Sequence, residues 1–193
     1  MISAANLEFL DQKLRVYDVD QGAWEQEPNG FAANARHVLT HLTKDMVGKD
    51  FSDVDLVRES IAPDSVQYAL RLSRWSLVKG AYLAEVTDTE ESVRSIAEKG
   101  LENLPWGFAS FAGAVCLLAQ NLHDMDHKKT RDRASKDTHD TMRSVSRLLI
   151  DSASIQSNQY GFSLVKAFDA RLSVLRNRFN IPEPTKPQNR TRA

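Results

Sequence analysis

Trp106–Leu122, WGFASFAGAVCLLAQNL, is apolar or small around nearly its whole helical circumference, and such a segment is stable only with other elements packed on several sides. Phe108, Phe111, Ala112, Val115, Leu118, Ala119 and Leu122 share one broad face in helical projection, with Cys116 and Leu117 off it. Pro105 before the run and the charged HDMDHKK after it limit the rod to about 25 Å at about 1.5 Å per residue, too short to cross a bilayer. The expectation is an all-α helical bundle arranged around this rod as its buried central helix.

The rest of the chain supplies amphipathic partners. Leu7, Leu10, Leu14 and Tyr17 recur at helical spacing behind Ser3, a candidate cap, and predict a helix over 4–18. After a loop around Trp24, the stripe Phe31, Ala35, Val38, Leu42 and Met46 predicts a second helix that stops at Gly48. His37 and His41, one turn apart, project away from that stripe towards solvent. Ser52 with Asp55 reads as a helix start for Val54, Val57 and Ile61, and Pro63 predicts a kink or restart before a longer helix with Val66, Ala69, Leu70 and Leu77. Thr87 with Glu90 is a capping box for a short helix closed by Pro105. The polar stretch from His127 to Asp140 reads as mobile. Beyond it, Met142, Val145, Leu148, Leu149 and Ala153 predict one helix, and Phe162, Val165, Phe168, Leu172, Leu175 and Phe179 a last one. The domain expectation is therefore one helical unit over 1–179, followed by a proline-rich, disordered tail over 180–193. GFAANARHVLTHLTKDM from Gly30 is loosely echoed by GFASFAGAVCLLAQNLHDM from Gly107, which suggests pseudo-repeated halves, 30–104 and 105–179.

Composition narrows the function classes. The 25 Lys and Arg nearly balance 26 Asp and Glu, leaving a net charge of −1 that offers no global attraction for nucleic acid or an anionic membrane. The lone Cys116 reads as a small buried hydrophobe, and with no signal-like start the chain is expected to be cytoplasmic. Without GxGxxG or GxxxxGK[ST], a nucleotide-binding parallel sheet is not expected.

Two phrases carry a resemblance. VRESIAPDSVQYALRLSRW, from Val57, resembles the second core helix of the MazG-like, all-α nucleoside triphosphate pyrophosphohydrolases. GFSLVKAFDARLSVLRNRF, from Gly161, is similar to the segment that closes such domains. The resemblance implies a helical bundle that forms homo-oligomers, a nucleotide ligand, and Mg²⁺ held by an E-x-x-E pair and an E-x-x-D pair on neighbouring helices. Hydrolysis of a phosphoanhydride needs such a cluster of hard oxygen ligands to neutralise charge and orient water. This chain departs from that pattern: Thr43, Lys44 and Asp45 stand where acids are wanted, and Glu59 and Asp64 are five residues apart, off a shared face. The acids available for a rebuilt site are Glu59, Asp64, Asp124, Asp126, Asp137 and Asp140.

Two further constellations stand beside these acids. The HxxxH pairs His37/His41 and His123/His127, with His139 near the second, can present imidazoles to one ion, so His123, His127 and His139 form an alternative metal set. The run from Lys128 to Arg143 holds six basic residues, among which Lys128, Lys129, Arg131 and Arg133 are candidate phosphate or nucleic-acid contacts. Trp75, Tyr82 and Trp106 are candidates for a self-association surface. Three readings follow: a divergent MazG-like binding or regulatory module, a Mg²⁺-dependent pyrophosphohydrolase with rearranged acids, and a nucleic-acid-associated helical protein. The first is preferred because the acid quartet is broken. Homo-oligomers and a nucleotide are its expected partners, with no membrane partner.

Overall fold

A computed structural model describes residues 2–21, 30–75, 104–105, 107–127 and 136–182, and among these every regular element is helical. The first helix, α1, spans Ala4–Gln21, with Ser3 capping through its Oγ and carbonyl oxygen. Leu7, Leu10, Leu14 and Tyr17 form its buried face, as their spacing predicts. The second helix, α2, spans Gly30–Gly48 and buries Ala35, Val38 and Leu42.

The next rod differs from its sequence reading. A short helix, α3 (Val54–Leu56), a wide π-type turn over Val57–Ile61, and α4 (Ala62–Trp75) run on without a break. The cap is Asp53, not Ser52: the Asp53 carboxylate accepts from the Asp55 and Leu56 amides, while Ser52 bonds to Asp50. Pro63 does not restart the rod, which stays helical through it. A proline lacks the amide that would bond four residues back and its ring crowds that carbonyl; the wide turn just before it, closed by the Ala62 amide on the Val57 carbonyl, provides the space.

The fifth helix, α5, spans Phe108–His127, the sixth, α6, Lys136–Gln159, and the seventh, α7, Leu164–Arg178. The α6 residues Met142, Val145, Leu148, Leu149 and Ala153 are all fully buried, as expected. This helix begins at Lys136, inside the stretch expected to be mobile, because Thr138 and Met142 already pack inward. In α7, Phe168 and Leu172 are buried but Phe179 is exposed beyond the helix end.

The apolar rod is a correction. Phe111, Ala114, Val115, Leu118, Leu122 and Met125 pack inward against α2 and α6, yet Cys116, Ala119 and Gln120 are exposed, so among the described residues α5 packs on one side and is not enclosed all round. Small residues on its outer face make the segment look apolar all round without requiring a neighbour there. The helix enclosed all round is α4, whose residues from Ala62 to Ser73 are all buried between α2, α6 and α7. The echoed segments become α2 and α5, which pack against each other. No described helix is long and apolar enough to cross a membrane. Trp24, Leu77, Tyr82, the capping box at Thr87 and Glu90, Trp106, and the tail from residue 183 lie outside the described residues, as does the Trp75 side chain.

Candidate functional site: a cationic cleft between three helices

Three helices each turn a polar stripe towards one cleft of about 840 Å³. From α2 come Asn34, His37, His41, Lys44 and Asp45; Lys49 and Ser60 follow, then Asp64, Gln67, Tyr68 and Arg71 along α4, and Arg171, Leu175 and Arg178 from α7. Spacings of three and four residues within each set place these side chains on one helical face. Five cationic side chains therefore line the cleft against the two carboxylates Asp45 and Asp64.

Asp64 anchors the floor. Arg171 grips it bidentately, Nε to Oδ1 at 2.9 Å and Nη2 to Oδ2 at 2.7 Å, tying α7 to α4. Gln67 donates to Oδ1 and Ser60 to Oδ2, both at 3.1 Å. Lys49 Nζ lies 3.8 Å from Oδ2, pairs with Asp45 at 2.7 Å and donates to Ser60 Oγ at 2.7 Å. Burial works against the Arg171 charge, but the Asp64 hydrogen bonds outweigh it and hold the guanidinium pKa above its ordinary value. For Asp45 burial wins over Lys49, so its carboxyl pKa is raised.

A second array stands behind the cleft. Asp18, 1% exposed, accepts from Arg71 and from Arg74, each at 2.6 Å, and so fixes the Arg71 guanidinium at the cleft wall. On the other wall the His37 and His41 rings lie 4.6 Å apart, and His41 lies 5.8 Å from the Tyr68 ring. Burial, then His41 and Arg71, lower the His37 pKa, favouring a neutral imidazole. Burial, then Asp64 and Asp45, push the Tyr68 phenol up. Among the described residues Lys44 and Arg178 have no carboxylate partner, and the buried Nδ2 of Asn34 has no hydrogen-bond acceptor. Uncommitted donors and cations above a neutralised floor suit an anion with a planar part that can lie on the imidazole and phenol rings.

The candidate acids whose side chains are described do not converge. Asp64 is committed to Arg171; Glu59 is exposed and pairs with Arg58 at 3.2 Å. Asp124 accepts from Gln120 at 2.9 Å, Asp126 pairs with Arg36, and Asp140 lies 3.7 Å from Arg143. The Asp137 side chain lies outside the described residues, as do Lys128, Lys129, Arg131 and Arg133. His123 and His127 face each other at 4.2 Å on α5, and His139 sits on α6 with its buried Nδ1 unpartnered among the described residues. Among the described residues no group of three His, Cys, Asp or Glu is placed to hold a metal ion. The described carboxylates therefore do not fit a Mg²⁺ cluster of the pyrophosphohydrolase kind, because both Asp64 oxygens already serve Arg171.

Sequence reasoning missed Lys44, Lys49, Tyr68, Arg71, Arg171 and Arg178 as a set. The available signal was the polar residues recurring at helical spacing within otherwise buried helices: Asp64, Tyr68 and Arg71 on one side, Arg171 and Arg178 on the other. Comparison with known proteins returns no matching family model, curated protein or solved structure.

Proposed function

We propose that this chain is a non-catalytic binding or regulatory module, a divergent relative of the MazG-like proteins it resembles, that holds a small phosphate-bearing ligand of nucleotide size in the α2–α4–α7 cleft. The observation that carries this reading is the Asp64–Arg171 clasp, which neutralises a buried carboxylate of the cleft and leaves the exposed Lys44 and Arg178 without a carboxylate partner among the described residues. A cleft of about 840 Å³ falls in the range that encloses small organic ligands. The neighbouring His37, His41 and Tyr68 rings offer flat surface for a base.

Titration calorimetry with pyrophosphate and with nucleoside mono- and triphosphates tests the reading. Binding is expected to weaken with salt, and Lys44→Glu with Arg178→Glu should reduce affinity at least tenfold, about 1.4 kcal/mol. Failure of every phosphate compound to bind at millimolar concentration would refute it. The same compounds incubated with Mg²⁺ separate module from enzyme, since release of monophosphate and pyrophosphate would restore the pyrophosphohydrolase reading.

A further inference from the structure

Helix α1 carries a second stripe opposite the one it buries. Ala5, Phe9, Gln12, Val16 and Val19 are all exposed and are spaced alternately four and three residues apart, the spacing of a coiled-coil seam. Phe9 is 45%, Val16 46% and Val19 55% exposed, so three large apolar side chains share one outward face of a helix whose other face, Leu7, Leu10 and Leu14, is fully used in the core. Glu8 and Arg15, both exposed and one heptad apart, stand in equivalent positions along one edge of this seam; Arg15 donates its Nε to Asp11 of the same helix at 2.9 Å, and its side chain stays 53% exposed.

We propose that α1 docks against α1 of a second copy of this chain, antiparallel about a twofold axis. The charges select both orientation and register. With Phe9 opposite the partner's Gln12 and Ala5 opposite the partner's Val16, Glu8 comes alongside the partner's Arg15, and symmetry makes the contact twice. Sliding by one heptad, so that Phe9 faces the partner's Val19, sets Arg15 against the partner's Arg15 and is repelled. A parallel pairing would call on Lys13 and Asp20 along the other edge, and these are tied to a different helix, α7: Lys13 to Asp169 at 2.7 Å and Asp20 to Arg176 at 2.8 Å, whereas the Arg15–Asp11 pair lies within α1 and leaves the Arg15 side chain half exposed. The second copy is the fitting occupant because the face is complementary to itself, apolar seam and opposite edge charges alike. The seam is shorter than a standard stable interface, so the dimer is concentration-dependent and forms in the micromolar range.

Sedimentation velocity on the full chain, from about 5 to 300 µM, tests this. The sedimentation coefficient should rise with concentration towards that of a dimer, and Phe9→Ser, at an exposed position, should hold the chain monomeric with an unchanged helical spectrum. Glu8→Arg and Arg15→Glu should each weaken self-association at least tenfold. An equimolar mixture of the two should associate again, because each chain then supplies the charge the other lacks. A chain that stays monomeric throughout overturns the proposal. So does a dimer indifferent to Phe9→Ser, or a mixture of the two charge variants that associates no better than either alone.

Discussion

Replacing Arg171 by methionine removes the guanidinium from Asp64 while keeping most of the side chain's apolar length. The Asp64 side chain is 8% and that of Arg171 20% exposed, so the pair is largely shielded from water. Cutting one partner out of a fully buried pair costs about 3–5 kcal/mol, because the remaining charge is left uncompensated. Here the loss is smaller. Asp64 keeps hydrogen bonds from Ser60 and Gln67 at 3.1 Å and the Lys49 ammonium at 3.8 Å, and Arg171 retains some solvent, which brings the expected loss to about 2 kcal/mol. For a chain of 193 residues that corresponds to a fall in Tm of about 4–8 °C. Thermal unfolding by circular dichroism of wild type, Arg171→Met, Asp64→Asn and the double variant closes a cycle in which the pair should show a coupling of about 1 kcal/mol or more. An Arg171→Met protein melting within about 1 °C of wild type, with additive single effects, would refute the view that this clasp joins α7 to α4.

Three further outcomes follow from local physics. Gly107 sits at φ +76°, and a Cβ there would lie 2.6 Å from the Ser152 carbonyl oxygen and 2.9 Å from Gln156 Cγ, so Gly107→Ala should cost about 2–4 kcal/mol in urea unfolding. His37 has a lowered folded-state pKa, so the stability it contributes is present above about pH 6.5 and is lost as pH falls through the folded value. The Tm advantage of wild type over His37→Gln should shrink accordingly between about pH 7.5 and 5, and a constant difference would contradict the assignment. Asp45 behaves in the opposite sense: its raised pKa favours folding below the ordinary carboxyl value of 3.8, and that contribution is lost as pH rises through the folded value. Asp45→Asn should therefore improve relative to wild type between about pH 4 and 7 in the same melting assay.

Much of the fold was legible because burial leaves a periodic trace. Leu7, Leu10, Leu14 and Tyr17 on α1, and Met142, Val145, Leu148 and Leu149 on α6, repeat at the spacing of one helical face, and all of them are buried. The trace misled where residue size was ambiguous. Ala119 and Cys116 are as compatible with water as with a neighbour, and both are exposed. It was silent in α4, where the polar Asp64, Gln67 and Arg71 carry no apolar trace although each is at least nine-tenths buried.

The chain's own sequence settled that the protein is helical, and which apolar stripes its helices turn inward, since both follow from local spacing and capping chemistry. Only the tertiary structure decided that α4 rather than α5 is the enclosed helix, that Asp64 answers Arg171 rather than a metal, and that α2, α4 and α7 share a cationic cleft. These facts depend on charges 107 positions apart along the chain meeting at hydrogen-bond distance, and no local periodicity records which distant partner will neutralise a buried charge.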